Sequence, residues 1–430
     1  MNRLKMLDWR ASLVPFWQGR LIIITDTAKC IRLSWLALLD RLKFLSVSLF
    51  SFSMLFAIVF LFAMNLTLMA WAESSEGISS LVFEDHSFSR FHGKWNIEAG
   101  GETFTEGVDQ GTLVGFVFRS RVQYKLTDQF DLYVDAKMQM LTRQIQARFA
   151  DSRQTGIFPY EVVARYRPSE KVELKAGALN MGFLDVPLLI SKERSFPGAF
   201  EKIGWGESKN YLRALAQQSI PTSSSFESMR SEKEQTPLFA TESLQAGASL
   251  GEVVIVSGQL THFRYSDLPS VVAFESGKMG NTTTGEFPAN SRFLFGFSGW
   301  VVGGEFCLCR SPGSGFRIGG YQLENREAEP AFNRAQELVL RGDFEISEFV
   351  LSPYLLRFFS ESDAVPAFFN SGSRGHNNRR GEGLGMEIFF RPYNFRLVGE
   401  YISSDVINPN SLQQRLNSIQ VRLETLNVEF

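Results

Sequence analysis

The sequence predicts an all-β chain, an antiparallel up-and-down transmembrane β-barrel of about 16 strands, with about 12 to 18 as the range. Three observations predict it. Apolar and charged residues alternate with period two over stretches longer than a soluble strand needs. Short turns and long loops alternate along the chain. An uncharged segment near the N-terminus has the form of an export signal.

The alternation is clearest over residues 112–142. Val114, Phe116, Phe118, Val122 and Tyr124 share one face, with Ser120 among them, and Arg119, Arg121 and Gln123 share the other. Residues 126–129 form a turn-like break. Phe130, Leu132, Val134, Ala136, Met138 and Met140 then alternate with Asp131, Asp135, Lys137 and Gln139. Side chains of a strand point to opposite faces in succession, so this is a hairpin with one apolar and one charged face. A soluble sandwich could use such a hairpin, with its apolar face in a core. Length favours the membrane: a tilted strand crosses a bilayer in about 9–11 residues, and both arms reach that. An Arg on the lipid face costs about 2–4 kcal/mol at mid-bilayer, so Arg119, Arg121, Asp135 and Lys137 are expected in the lumen.

Composition excludes some functions. The 430 residues carry a net charge of -2, too close to neutral for a nucleic-acid binder. Forty Phe and 35 Gly suit lipid-facing strands and tight turns. A mean hydropathy of -0.07 does not argue against a barrel, because lumen residues dilute lipid-facing ones. Of three cysteines, Cys30 precedes the export segment, and Cys307 and Cys309 sit two apart on one strand face. Ideal strand spacing disfavours a disulfide between them, so both are expected as small apolar fillers.

The chain divides into an N-terminal extension and signal peptide (1–72), an irregular lead-in (73–93) and the barrel (94–430). Residues 44–72 contain no charge, Arg41 and Lys43 stand just before them, and Ala70-Trp71-Ala72 precedes Glu73. That is a basic region, an apolar stretch and a small-x-small cleavage site, with cleavage expected after Ala72. N-terminal sequencing of the exported form would refute this by finding residues ahead of Glu73.

Further hairpins follow. Tyr160, Val162, Ala164 and Tyr166 alternate with Glu161, Arg165 and Arg167, turn at 167–170, and lead into Val172, Leu174, Ala176 and Ala178. Residues 180–210 read as a long loop with Pro187, Pro197 and many charges, and long loops in compact domains tend to be functional. A strand at 211–218 has a weak candidate partner at 223–230. Strands at 238–250 and 252–264 pair across Gly251. A second long loop covers 266–290. The strands at 292–309, 316–326, 335–346, 349–360, 383–390, 395–402 and 416–430 complete the set. A third long loop at 361–381 is basic, with Arg374, His376, Arg379 and Arg380. It reads as a solvated tip, or as a contact for anionic lipopolysaccharide.

The C-terminus, Leu426-Asn427-Val428-Glu429-Phe430, resembles the last-strand signature of bacterial outer-membrane proteins, which their insertion machinery reads at a residue such as Phe430. Farther back the apolar phase switches to Leu423, Val421 and Ile419, which requires a bulge if the match runs deeper. Sixteen strands with a long loop after the fifth resemble a general porin. In that family this loop folds into the lumen and narrows it. The resemblance implies that Asp185, Lys192, Glu193, Arg194, Glu201 and Lys202 meet wall residues Arg119, Arg121, Arg165 and Arg167 at a constriction with a transverse field.

No enzyme chemistry stands out. The four histidines, His86, His92, His262 and His376, show no metal-ligand spacing. A Ser-His pair at His262 is the one conceivable catalytic feature. The expectation is an exported bacterial outer-membrane pore for small hydrophilic solutes, without cofactor or nucleic-acid partner. Its partners would be outer-membrane lipid, lipopolysaccharide and the insertion machinery, and a homotrimer is one option for its assembly. A plugged structural or adhesive barrel is the first alternative, and a barrel hydrolase the second.

Overall fold

A computed structural model describes residues 90–146, 155–207, 209–221, 234–251, 253–311 and 314–429, without the side chains of 143–146, 207, 310 and 311. The export segment, the 223–230 candidate strand and Phe430 lie outside the described residues. Sixteen antiparallel strands form one closed sheet. They are β1 (Phe91–Glu106), β2 (Asp109–Lys125), β3 (Phe130–Gln146), β4 (Gly156–Ser169), β5 (Val172–Asn180), β6 (Ser195–Glu207), β7 (Asn210–Ser219) and β8 (Leu238–Leu250). They continue with β9 (Val254–Ser266), β10 (Phe297–Ser311), β11 (Ser314–Asn325), β12 (Arg334–Ile346), β13 (Phe349–Ser360), β14 (Arg379–Phe390), β15 (Phe395–Val406) and β16 (Leu416–Thr425). Each strand pairs with the next, and β16 pairs back onto β1, from Glu98↔Glu424 to Glu106↔Leu416. Closure leaves no unpaired sheet edge.

The two rims differ. At the rim holding the end of β16, connections run from two residues (170–171) to four (126–129). At the other rim lie the connections 181–194, 267–296 and 361–378. We call these the turn rim and the loop rim.

Alternation sorts the faces as the sequence predicts. On β2 and β3, Val114 and Leu132 are 52% and 43% exposed on the exterior, whereas Asp131 and Asp135 are 4% and 3% exposed inside. Apolar Ile419, Val421 and Leu423 are likewise exposed on the exterior of β16. An exterior of exposed apolar side chains over a polar interior is the inverse of a soluble sandwich, and it identifies a lipid-facing surface.

Four departures from the expected elements have local causes. First, residues 195–207 are strand, so the loop after the fifth strand is only 181–194. Its Pro197 and Gly198 look loop-like because β7 approaches closely: a Cβ on Gly198 would lie 2.3 Å from the Gln218 carbonyl oxygen. Second, β4 bulges against β3. Asp135 pairs with Glu161 but Ala136 with Pro159, leaving Tyr160 as the extra residue. Tyr160 therefore turns inward, opposite to Val162. Third, a similar shift closes the barrel. Residues up to Thr425 follow one register, while Trp95↔Val428 and Lys94↔Glu429 follow another, one residue on. This bulge is the one the switched apolar phase requires, and it returns Val428 to the exterior. Fourth, Cys307 and Cys309 are paired as a disulfide with Cα atoms 5.4 Å apart, rather than standing as separate fillers. The strand is compressed beside the irregularity between Cys309 and Ser311.

The apolar core lies inside the barrel near the loop rim. Three inward-folded loops build it. Met181, Leu184, Val186, Leu188, Leu189 and Ile190 come from 181–194, Val271 and Val272 from helix α1 (Ser270–Lys278), and Ala364, Val365 and Phe369 from 361–378. They pack on wall residues that include Phe196, Phe239, Phe263, Tyr265, Phe297 and Phe358. Phe369 meets Phe196 edge-on at 5.4 Å and stacks on Tyr265 at 5.8 Å.

Candidate functional site

The apolar core occupies the β6–β13 side of the lumen, and a water-accessible space remains beside and beneath it. The larger cavity measures about 1720 Å³ and is bordered by nine acidic and nine basic side chains, His376 aside. A second of about 340 Å³ lies between the 181–194 loop and the wall of β1–β4, β15 and β16. Lys192 and Glu193 from the loop meet Glu98, Arg119, Lys137, Tyr160 and Arg422 there.

The loop is shaped for this position. Asn180 caps a short 3₁₀ turn (Met181–Leu184) by accepting from the Gly182 amide, and Asp185 ends it in the left-handed region at φ 49°. The loop's apolar run then anchors in the core. The Leu188 amide donates to Tyr321 Oη at 3.0 Å, and Ser191 N donates to the Phe369 carbonyl at 2.8 Å. This leaves Lys192 and Glu193 facing the opposite wall, where Lys137 Nζ lies 3.3 Å from Glu193 Oε2.

The wall charges pair across neighbouring strands. Arg119 donates twice to Asp135, at 2.7 and 2.6 Å, and Arg121 Nε donates to the same carboxylate at 3.2 Å. Arg165 reaches Asp131 at 2.7 Å, and Arg167 lies between Asp131 and Glu173. Lys202 also reaches Glu173, at 3.3 Å. Across the lumen, Arg341 donates twice to Glu387 at 3.0 Å and once to Asp343. Arg396 bonds Glu424, and Arg379 bonds Glu106. Most of these pairs join adjacent strands, about 4.8 Å apart, whereas Arg341–Glu387 spans two strands and Arg379–Glu106 three. The expected field between a basic wall and an acidic loop is thus replaced by locally neutral ribbons, with Lys137–Glu193 as the link between wall and loop.

The structure therefore gathers Arg119, Arg121, Lys137, Lys192 and Glu193 around the smaller cavity, with Asp135 behind them. Asp185 borders the larger cavity. Arg165, Arg167 and Lys202 face inward nearer the turn rim. Arg194 leaves the group: its guanidinium lies over Phe368 at 4.8 Å and bonds that residue's carbonyl. Burial there lowers its pKa from the usual guanidinium value. Glu201 is a correction, since as an odd-numbered residue of β6 it shares the exterior face with Ile203 and Trp205. The basic loop is corrected too. Arg374 is buried against Glu337 and Glu400, so it neither caps a solvated tip nor faces outward.

Tyr160 was missed. Arg119 lies 4.0 Å over its ring and Lys137 at 5.4 Å, so the phenol ring packs beneath both cations. Pro159 beside it, in an otherwise alternating run, is the sequence feature that marks a bulge. His262 lies on the exterior, with Nε2 3.4 Å from Ser298 Oγ and its ring 4.9 Å from Trp300. Among the described residues, no group of three or more His, Cys, Asp or Glu could hold a metal ion.

A closed sixteen-stranded tube with an apolar exterior, a charge-lined lumen and a loop after the fifth strand turned into it has the architecture of a porin-like transmembrane β-barrel. No protein-family model matches the sequence. No curated protein matches it either. Solved structures do. OprB of Pseudomonas putida superposes with a TM-score of 0.54 at 9% identity, over 80% of this chain and 95% of that one. A loop-deletion mutant of OmpT, an outer membrane protein of Vibrio cholerae, reaches 0.48 at 10% identity, over 78% and 99%. At such identities the likeness to OprB is one of fold.

Proposed function

We propose that this chain is a passive diffusion channel of the bacterial outer membrane for small hydrophilic solutes. The observation that carries the reading is the pair of charge-lined cavities inside a closed barrel whose exterior is apolar. Solutes would pass between the 181–194 loop and the β1–β3 wall, with Arg119, Arg121, Lys137, Tyr160, Lys192 and Glu193 at the narrowing. Outer-membrane porins carry their long loops on the outer face, so the loop rim is read as external. Export by the 44–72 segment with cleavage after Ala72, and insertion through Phe430, belong to the same reading.

The apolar core favours one second reading, a barrel plugged by its own loops and serving as a structural or adhesive surface protein. Planar-bilayer recording and liposome swelling with purified protein separate the two. Discrete current steps and swelling in small sugars are expected from the channel. Intact, heat-modifiable barrels that give neither would leave the plugged form standing.

A further inference from the structure

At the loop rim, three exterior arginines stand opposite acids. Arg357 stands opposite Glu382, Arg380 opposite Asp405, and Arg334 opposite Glu324, each an acid and a base on neighbouring strands. Arg264 on β9 differs: its neighbours across the sheet are Ala240 and Ser298. It points outward, because Phe263 and Tyr265 on either side of it are buried inside. A second cation joins it. The Arg326 amide donates to the Ser298 carbonyl at 2.7 Å, and its guanidinium lies 5.8 Å from the Trp300 ring. Ser298 is thus flanked by two arginines, neither in an ion pair among the described residues, with the His262 imidazole at 3.4 Å. Three exterior acids border the cluster: Glu242 opposite His262 and Glu324 opposite Trp300, each one residue pair deeper, and Glu327, whose carboxylate lies against Gly296.

Below this cluster the surface is apolar, with Leu244, Leu260 and Val302 exposed. Trp300 lies between the polar and apolar zones, where amphipathic rings settle at a membrane interface. Two cations and hydroxyl and imidazole donors above an apolar panel suit an anionic headgroup on acyl chains. We propose that Arg264 and Arg326, with Ser298, His262 and Trp300, bind a phosphate of lipid A in the outer leaflet. The arginines would hold the phosphate, and the acyl chains would run down past Leu260 and Val302. The proposal rests on the loop rim being external.

The test is native mass spectrometry of the full barrel in detergent with lipid A, with dephosphorylated lipid A and with phosphatidylglycerol. Lipid A should be retained by the wild type. Retention should be about thirtyfold weaker in Arg264→Ala/Arg326→Ala and with the dephosphorylated lipid. Glu242→Gln should retain it at least as well. Equal retention by the double variant, or of the dephosphorylated lipid, would overturn the site. Phosphatidylglycerol held as tightly would overturn the choice of lipid A. Current steps and heat-modifiable migration are recorded on the same preparations. Lost lipid with normal steps defeats only this proposal, whereas absent steps with retained lipid defeat only the channel.

Discussion

Glu193 and Lys137 meet at the smaller cavity, one from the loop and one from the wall. Their side chains are 56% and 14% exposed, so the pair is well solvated and should contribute less than about 1 kcal/mol to stability. Glu193→Gln is therefore expected to leave the thermal unfolding of the barrel nearly unchanged while removing one negative charge from the passage. The reversal potential across a salt gradient should move toward anions, and an unmoved potential would place the solute path elsewhere. Asp135 is a different case. It is almost fully buried and accepts from both Arg119 and Arg121. Asp135→Asn leaves two half-buried guanidinium groups with a neutral partner and should destabilise the barrel by about 1–3 kcal/mol, read as a lower denaturant midpoint. Asp135 was legible from alternation alone, whereas Glu193 entered through the resemblance to a porin loop. Tyr160 was not, because one extra residue in β4 inverts every side chain on one side of it.

The long strands announced themselves by period two, and β12 and β13 begin and end where the alternation does. β6 was hidden because Pro197, Gly198, Gly204 and Gly206 interrupt its pattern, although close packing on β7 is what requires Gly198. The 181–194 loop was legible as an element but its role was only half so. Its charges suggested a lumen site, while Leu188-Leu189-Ile190 gave no hint of an interior core. Nothing local marks such a run as a partner for Val272, Val365 and Phe369, which lie far away in the chain. Polar pins then lock the loops together. Asn281 donates to the carbonyls of Ser362 and Val365, at 2.7 and 2.8 Å, and accepts from the Ala367 amide. Leu188→Asp would place a charge among fully buried apolar side chains and should expel the 181–194 loop. Faster protease cleavage within 181–194 and noisier single-channel currents are the expected readouts. A quiet channel with a protected loop would show that the core tolerates the change.

At the scale of the whole molecule, the lumen is close to electroneutral. Acidic and basic groups border the main cavity in equal number, and most are paired along the wall. Such a passage should discriminate little between small cations and anions, so the wild-type reversal potential is expected near zero. A strongly ion-selective wild type would mean that the few uncompensated groups, Lys192 and Glu305 among them, dominate.

Because the hydrophobic nucleus is enclosed by the very wall it braces, assembly has an imposed order. Phe196, Phe239, Phe263, Phe297 and Phe358 come from β6, β8, β9, β10 and β13, so the surface that receives the loops is complete only when these strands have paired in one curved wall. The loops have nothing to settle against before that moment. Refolding into detergent micelles should therefore first yield the fast-migrating species on a gel. Resistance of 361–378 to digestion should follow in a later phase, and the reverse sequence of events would mean that the loops nucleate the tube.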